Sequence, residues 1–268
     1  MGKDRHIDIM GIVNLTDDSY FAGSRCDGVP AALRRVEVLV SEGASIIDFG
    51  ACSTRPGSVP VTEGEEWVRL KPVLEALRGR FPGTLISIDT FRSSVVRKAY
   101  DTFGDFMVND ISAGEDDPMM LSAVGELGLK YVAMHKRGTP ERMQSLTEYE
   151  DVTEDVFRYF LDFTEKAARH GIKEWVVDPG FGFAKTVHQN YELLRGLSRL
   201  KDLPDGNRIL VGVSRKSMIY RYLNITPEES LPATQVLHLK ALENGADILR
   251  VHDVAEAVRT LSLYRMLF

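Results

Sequence analysis

The strongest candidate for chemistry is a carboxylate at the end of a short, mostly apolar run. Asp178 follows residues 174–177 and precedes Pro179 and Gly180, and a helical pattern starts near Val187. A barrel strand delivers a functional side chain in this way, at its carboxyl end and in front of a turn. Asp-Pro-Gly is also common turn chemistry, in which Asp178 would be an ordinary cap. The arrangement recurs along the chain, and this recurrence favours a functional role.

Polar side chains also stand at the ends of the other predicted strands. Because the carboxyl ends of parallel barrel strands meet at one mouth, we expect these groups to converge. They are Asn14, Thr54, Arg55, Asp89, Asn109, His135, Asp178, Lys216, Arg250 and His252.

The first of two chemical groups offers hydrogen-bond acceptors. Asp89, Asn109 and Asp178 follow three different predicted strands. Two carboxylates and an amide suit a flat ligand with several N–H donors, such as an aminopyrimidine edge. A single aspartate at a strand end is more often a cap or an ion-pair partner, so the interpretation depends on all three residues acting together.

The second group is cationic or polar and suits an anion. Arg250 and His252 lie two residues apart, so their side chains point the same way on the last strand. That strand adjoins the first one when a barrel closes. Guanidinium forks match phosphate oxygens in bidentate fashion, although Arg250 could instead pair with Asp247 or Asp253. The group consists of Asn14, Arg55, Arg250 and His252.

Two further residues favour structural roles. His135 next to Met134 is interpreted as a satisfied, half-buried histidine. Cys52 is interpreted as a small packed residue, because no base is placed beside it by spacing. A metal-hydrolase barrel is disfavoured, since the first strand carries no HxH pair and the chain contains no HExxH.

The elements that position these residues alternate between strands and helices. Thr62 and Glu65 predict a capping box, and helices are predicted over residues 152–169, 191–200 and 254–267, among others. The pattern predicts an α/β fold, a (β/α)8 TIM barrel that forms a single domain over residues 1–268. A doubly wound open sheet is the alternative, but the first strand lacks a glycine-rich loop after it. The predicted strands are residues 7–13, 45–49, 85–88, 106–108, 131–134, 174–177, 209–213 and 247–251.

Composition narrows the function classes. The chain has 268 residues, 44% of them hydrophobic, and a net charge of −6, which argues against a general nucleic-acid binder. Two cysteines without a CxxC pair indicate a reduced, intracellular protein. No run approaches the roughly 20 apolar residues of a membrane span, and no apolar signal region follows the N-terminus. We therefore expect a cytoplasmic protein without membrane contact.

Seven motifs in order along the chain together resemble the dihydropteroate synthase family. The resemblance implies a pterin-binding TIM barrel, typically homodimeric, and a transferase. The implied reaction condenses 6-hydroxymethyl-7,8-dihydropterin diphosphate with p-aminobenzoate. It releases diphosphate and yields 7,8-dihydropteroate, a precursor of folate. The motifs are residues 10–16, 53–57, 108–110, 134–140, 178–186, 214–217 and 250–254.

The resemblance also implies roles for individual residues. Those of the pterin site are Asp89, Asn109 and Asp178 around the ring, Lys216 at its polar edge, and Met134 and Gly212 packing nearby. Those of the diphosphate site are Asn14, Arg55, Arg250 and His252, with Asn14 also reaching Mg²⁺. Those of the p-aminobenzoate pocket are Thr54, Pro56, Phe183 and Ser217. The expected catalytic residues are Asp89, Asp178, Lys216, Arg250 and His252.

The implied mechanism is SN1-like. Diphosphate is a good leaving group once basic residues and Mg²⁺ neutralise its charge, and its departure leaves positive charge on the exocyclic methylene. Asp89 and Asp178 would stabilise that cation before the neutral arylamine attacks. Alanine in place of Arg250 or Lys216 is expected to nearly abolish synthesis and to leave the fold intact.

Three positions depart from the family pattern, and two other functions are weighed. Asp17 replaces a proline, Tyr20 a phenylalanine and Arg92 a lysine, which puts loop closure and turnover rate in question. One alternative is a methyltetrahydrofolate-binding corrinoid methyltransferase, which has no use for a diphosphate clamp. The other is a non-catalytic pterin-binding paralogue, favoured only by Asp17.

Overall fold

The centre of the fold is a closed barrel of eight parallel strands, each paired with the next, with the last paired with the first. A computed structural model describes residues 5–15, 28–52, 61–138, 142–204 and 207–268. The strands are β1 (Asp8–Asn14), β2 (Ile46–Gly50), β3 (Leu85–Asp89), β4 (Met107–Asp110), β5 (Lys130–Met134), β6 (Trp175–Asp178), β7 (Arg208–Val211) and β8 (Ile248–Val251). The predicted fold class is confirmed, and the predicted strands agree with these bounds to within two residues.

Helices cover the outside of the barrel. In the described ranges they are α1 (Gly28–Ser41), α2 (Glu63–Leu77), α3 (Ser93–Phe103), α4 (Met120–Leu127), α5 (Val152–Arg169), α6 (Val187–Arg195), α7 (Ser217–Leu223), α8 (Leu231–Glu243) and α9 (Val254–Leu267). The predicted bounds of α5 and α9 are confirmed. No helix in these ranges is long and apolar enough to cross a membrane.

Capping explains where two of the helices begin and end. The predicted capping box of Thr62 and Glu65 is present at the start of α2. The helical pattern predicted to start near Val187 is confirmed, because Thr186 and Gln189 form a capping box at the start of α6, whereas the predicted helix over residues 191–200 is wrong in its bounds. Gly196 then ends α6, and the chain continues as a short 3-10 helix, Leu197–Asp202.

The inside of the barrel contains an apolar layer to which every strand contributes one residue. Side chains alternate between the inside and the outside of a barrel strand, so the residue two positions further along each strand also faces inward. The layer therefore fixes which residues of each strand point toward the mouth. Its members are Met10, Ile46, Leu85, Met107, Val132, Val176, Leu210 and Ile248.

Charged side chains close the opposite end of the barrel, which we call the floor. Asp8 at the start of β1 accepts hydrogen bonds from Ser45, at 2.6 Å, and from Arg208, at 2.7 Å. Asp247, just before β8, forms an ion pair with Lys201. Each of these two carboxylates is thus paired with a cation from another element.

Candidate active site

The inward positions directly above the apolar layer carry five of the predicted site residues. Two residues beyond the layer, β4, β6 and β8 carry Asn109, Asp178 and Arg250. The same step leads to Met134 at the end of β5 and to Gly212 just after β7. The predicted convergence of these residues at one end of the barrel is therefore confirmed.

Arg250 forms the centre of a buried ion network. Its Nε donates to Oδ2 of Asp48 at 2.7 Å, and its Nη2 donates to Oδ2 of Asp89 at 2.9 Å. The expected alternative partners are wrong, because Asp253 binds Arg215 and Asp247 binds Lys201. The arginine therefore lies among the acidic acceptors, and the two predicted groups of residues meet at its guanidinium.

Sequence reasoning missed Asp48. This fully buried carboxylate accepts hydrogen bonds from Ser87 Oγ at 2.6 Å, from Asn109 Nδ2 at 3.0 Å and from Arg250. It occupies the inward position two residues after Ile46, in a strand that is otherwise apolar. An acid in the middle of a buried run is a signal that could have identified it, because buried charges are usually paired.

Asp89 at the end of β3 has unusual electrostatics. Burial raises its pKa to about 7, and the charges of Asp48, Glu66 and Asp110 act in the same direction against Arg250. The carboxyl group of Asp89 is therefore divided between its two protonation states near neutral pH. A ligand that donates hydrogen bonds or carries positive charge favours the ionised form.

Asp178 combines the two roles that were weighed for it. Its Oδ1 accepts the N–H of Gly180 at 2.8 Å, as in a turn, while its side chain lies at the mouth. Burial raises its pKa, and the charges of Lys216 and Arg250 oppose that rise. Gly180 has a φ of +70°, and a Cβ there would lie 1.9 Å from the carbonyl oxygen of His135, so only glycine fits this turn.

Lys216 extends its ammonium group into the same mouth. Its Nζ donates to the carbonyl oxygen of Phe181 at 2.5 Å and lies 5.0 Å from the centroid of the Phe183 ring. Burial lowers the pKa of Lys216 to about 8, against the opposing charge of Asp178. Gly212 lies beside this ammonium, since a Cβ on Gly212 would be 3.9 Å from the Lys216 Nζ.

His252 lies beyond Arg250 on the same side of β8. Its Nδ1 is 3.1 Å from Ser214 Oγ, and its carbonyl oxygen accepts from Arg35 at 2.7 Å. Burial lowers the pKa of His252 to about 3, and the charges of Arg250 and its other basic neighbours add to the effect. The ring is therefore neutral at pH 7 and offers a polar N–H to an anion, not a positive charge.

Asn14 is the predicted magnesium ligand and ends β1 opposite Gly50. A Cβ on Gly50 would lie 3.3 Å from Asn14 Oδ1 and 3.9 Å from Asp89 Oδ2, so both oxygens lie next to this glycine. Among the described residues, no group of three His, Cys, Asp or Glu side chains could hold a metal. This donor set fits a Mg²⁺ ion that takes most of its ligands from phosphates and water.

Not every predicted site residue belongs to the part of the chain that the structure describes. Thr54, Arg55 and Pro56 lie outside the described residues, as do the departures Asp17 and Tyr20. Ser217 begins α7 directly after Lys216.

Arg92, the third departure from the family pattern, has partners of its own. It forms an ion pair with the buried Glu66, donates to the carbonyl oxygen of Val61 at 2.5 Å and stacks on Phe91 at 4.5 Å. These contacts connect the start of α3 with α2 and the residue before its cap.

Sequence reasoning also missed Lys185. This lysine is 4% exposed, and its Nζ lies 3.0 Å from Nδ1 of His135. The expectation that His135 is a satisfied histidine is confirmed, and the ring is buried, not half-buried. A lysine directly after the Gly-Phe-Gly-Phe-Ala stretch was the available signal.

A cavity of about 510 Å³ lies beyond the end of β5, lined by Lys136, Arg137, Arg158 and Tyr159 among others. None of its lining residues belongs to the Arg250 network or is Asp178 or Lys216. The cavity is thus separate from the cluster at the mouth.

Comparison with known proteins extends the similarity beyond the site. The sequence matches the family described as pterin binding enzyme over residues 10–252. The dihydropteroate synthase of Escherichia coli (strain K12) is 39% identical over 260 residues, covering 96% of this chain and 90% of that protein.

Solved structures show the same relation in three dimensions. A Yersinia pestis dihydropteroate synthase with a sulfonamide drug complex has a TM-score of 0.92 at 36% identity, covering 100% of this chain and 96% of that one. The Burkholderia cenocepacia dihydropteroate synthase complexed with 7,8-dihydropteroate has a TM-score of 0.85 at 37% identity, covering 98% and 92%. The likeness therefore includes the whole barrel and both of its ends.

Proposed function

This chain belongs to the dihydropteroate synthase family, and we propose that it condenses 6-hydroxymethyl-7,8-dihydropterin diphosphate with p-aminobenzoate. The products are 7,8-dihydropteroate, which the Burkholderia relative binds, and diphosphate. The observation that carries the proposal is the direct contact of Arg250 with Asp89 at a mouth that also holds Asp178 and Lys216. Acidic acceptors and a phosphate-binding cation are thus close enough to hold two halves of one small molecule.

The acceptor side suits the pterin ring. An ionised Asp48 can only accept hydrogen bonds, so it accepts one from the side-chain NH₂ of Asn109. The amide oxygen of Asn109 then points away from Asp48. Asp178 presents a second oxygen in addition to the one that binds Gly180. Carboxylate and amide oxygens facing one ligand match the N–H groups along a pterin edge.

The cationic side suits the diphosphate. Arg250 uses Nε and Nη2 for its two carboxylates, so binding an anion requires the guanidinium to share its donors among three partners. His252 adds a neutral ring next to it. Asn14 would hold Mg²⁺ at the end of β1, where the ion neutralises diphosphate charge when it is bound. Arg55 is proposed for this side from the resemblance alone.

The proposed reaction breaks one C–O bond and forms one C–N bond. The diphosphate leaves with the electron pair of the C–O bond, and the positive charge on the exocyclic methylene spreads into the ring. Asp178 and Asp89 stabilise this charge, because anions aimed at a developing cation lower its energy in a poorly hydrated site. The neutral amine of p-aminobenzoate then attacks the methylene carbon and loses a proton to solvent.

The p-aminobenzoate pocket is proposed at the side of the mouth where Phe183 and Ser217 lie. The Phe183 ring lies next to the Lys216 ammonium, which places an apolar face at the edge of the pterin site. Thr54 and Pro56 are assigned to this pocket from the resemblance alone.

A homodimer in the cytoplasm is also part of the proposal. Large apolar side chains are exposed on the last three helices, and a second copy would cover them. They are Tyr222, Leu223, Val236, Leu263, Met266 and Leu267. Sedimentation equilibrium at micromolar concentration would give twice the chain mass, and a monomer would contradict the dimer. The cytoplasmic location stays a prediction from the cysteine content.

The test is turnover by the purified protein. With the pterin diphosphate, p-aminobenzoate and Mg²⁺, we expect diphosphate and dihydropteroate in equal amounts. Methyl transfer from methyltetrahydrofolate without diphosphate release would favour the corrinoid methyltransferase. Pterin binding without either reaction would identify a non-catalytic paralogue, and both results would contradict the proposed function.

A further inference from the structure

We propose that Lys185 is a positioning residue. It holds the turn after β6 in place, and the turn fixes the positions of the Asp178 carboxylate and the Lys216 ammonium. The inference rests on the proposed function and adds a residue to it. Lys185 lies behind the mouth and acts through the turn, which consists of residues 179–184.

The side chain of Lys185 connects the turn after β6 with the residue after β5 through one buried ammonium group. Its Nζ lies 3.0 Å from Nδ1 of His135, 3.0 Å from the carbonyl oxygen of Gly180 and 3.1 Å from that of Phe183. An ammonium group has three N–H donors, and here it has three partners. The turn after β6 is therefore held from inside against the end of β5.

The turn carries the contacts that define the site. Gly180 donates its N–H to Asp178 at 2.8 Å, while its carbonyl oxygen accepts from Lys185. Phe181 presents its carbonyl oxygen to Lys216, and Phe183 places its ring beside the same ammonium. A shift of this turn would thus move the Asp178 carboxylate and the Lys216 ammonium together.

The other connections of the turn do not replace this role. Asn190 on α6 accepts from the N–H of Gly182 at 2.6 Å and donates to the carbonyl oxygen of Lys185. These bonds attach the turn to the helix on the outside of the barrel. The Lys185 ammonium links the turn to the ring of His135, whose own N–H donates to the carbonyl oxygen of Asp178.

Electrostatics agree with a link to Asp178. Burial lowers the pKa of Lys185 to about 7, and the charge of Asp178 opposes this effect. In return, Lys185 helps Lys216 and Arg250 to keep the pKa of Asp178 from rising further. Three hydrogen-bond acceptors around Nζ favour the ammonium form, with His135 accepting through Nδ1.

The experiment compares two kinds of ligand on matched variants. Lys185→Met removes every donor at similar length, Lys185→Gln restores donors without charge, and Lys136→Met serves as the control. Lys136 is also buried at this end of the barrel, but it donates to Asp116 at 2.6 Å and not to the turn. Calorimetry gives the Kd of 6-hydroxymethylpterin and, separately, that of inorganic diphosphate with Mg²⁺, and thermal melting checks folding.

The expected result is selective. Lys185→Met should weaken pterin binding roughly tenfold or more while diphosphate binding changes by less than about twofold, because charged hydrogen bonds are lost only behind Asp178. Lys185→Gln should recover part of the pterin affinity, and Lys136→Met should bind both ligands as the wild type does. The kcat/KM for the pterin diphosphate should fall in parallel with pterin affinity.

Other outcomes overturn the inference. Unchanged pterin affinity in Lys185→Met, or equal loss for both ligands, would contradict positioning through the turn. If neither Lys185 variant folds while Lys136→Met does, the lysine serves the fold and not the site. A wild-type protein that binds no pterin would overturn the proposed function itself, which is a separate and recognisable result.

Discussion

Both ends of the barrel contain carboxylates, but their pKa values are shifted in opposite directions at the two ends. At the floor, burial alone would raise the pKa of Asp8, but bonds from Ser45 and Arg208 and the charge of Arg208 bring it below its usual value. At the mouth, burial raises the pKa of Asp89 to about 7 and also raises that of Asp178. The pKa of the floor carboxylate is thus lowered, and the pKa values of these two mouth carboxylates are raised.

Burial is the largest cause of the raised pKa values at the mouth, and at Asp89 the sharing of one cation with Asp48 adds to it. At the floor, Asp8 pairs with Arg208 and Asp247 with Lys201. At the mouth, Arg250 serves both Asp48 and Asp89, so two carboxylates share one guanidinium. Such perturbed groups cluster at functional sites, where a ligand completes interactions that the protein leaves incomplete. The floor stabilises the barrel, and the mouth is prepared for a ligand.

The largest expected effect is that of Arg250→Ala. We expect a rate loss of roughly 10²–10³, because a well-aimed charge on the leaving group is removed. The structure revises the expectation of an intact fold, since Asp48 and Asp89 would lose the cation that they share. Steady-state kinetics and thermal melting should therefore both change. An active variant, or one with wild-type melting, would contradict the account of the mouth.

Lys216→Met separates activity from stability at the same end. We expect a loss of about 10² in kcat with little change in melting temperature. Among the described residues, Lys216 has no carboxylate at hydrogen-bond distance, so its removal leaves no carboxylate without an ion-pair partner. Its pKa of about 8 also predicts that wild-type kcat/KM falls as pH rises through 8, when the ammonium loses its proton. A methionine variant that keeps this alkaline limb would assign it to another group.

Asp48→Asn tests whether crowding of carboxylates sets the pKa of Asp89. The charge of Asp48 raises that pKa, so its removal should lower it and leave Arg250 to Asp89. The acid limb of kcat/KM should then move to lower pH, with a rate change of about tenfold at neutral pH. A limb that stays in place would show that burial alone sets the pKa.

The smallest effect on activity is expected at the floor. Arg208→Ala should lower stability by about 1–2 kcal/mol at pH 7 and leave kcat unchanged, since it removes a partner of the buried Asp8 far from the mouth. The folded pKa of Asp8 is depressed, so its contribution is present above its unfolded pKa and is lost as pH falls through the folded value. The stability difference between the two proteins should accordingly shrink in acid. A stability difference that stays constant across pH, or a loss of kcat, would contradict a purely stabilising role for the floor.

Local sequence patterns predicted the strands of the barrel better than the side-chain contacts between them. Alternation and strand ends were enough to predict that Asp89, Asn109, Asp178 and Arg250 converge. The partner of Arg250 was not predictable, because Asp48 lies 202 residues away and their contact depends on barrel closure. Lys185 was missed for a related reason, since its partner His135 lies 50 residues away, after a different strand. Interactions between distant strands are set by register, which a single sequence does not display.

The central claim is that one mouth holds both halves of the substrate, and a crystal structure with a non-hydrolysable pterin diphosphate analogue tests it most directly. We predict the pterin ring against Asp178 and Asn109, and the diphosphate on Arg250 and His252, with the Arg250 guanidinium partly withdrawn from its carboxylates. A ligand in the cavity beyond β5, beside Arg137, with Arg250 still bound to Asp48 and Asp89, would contradict the claim.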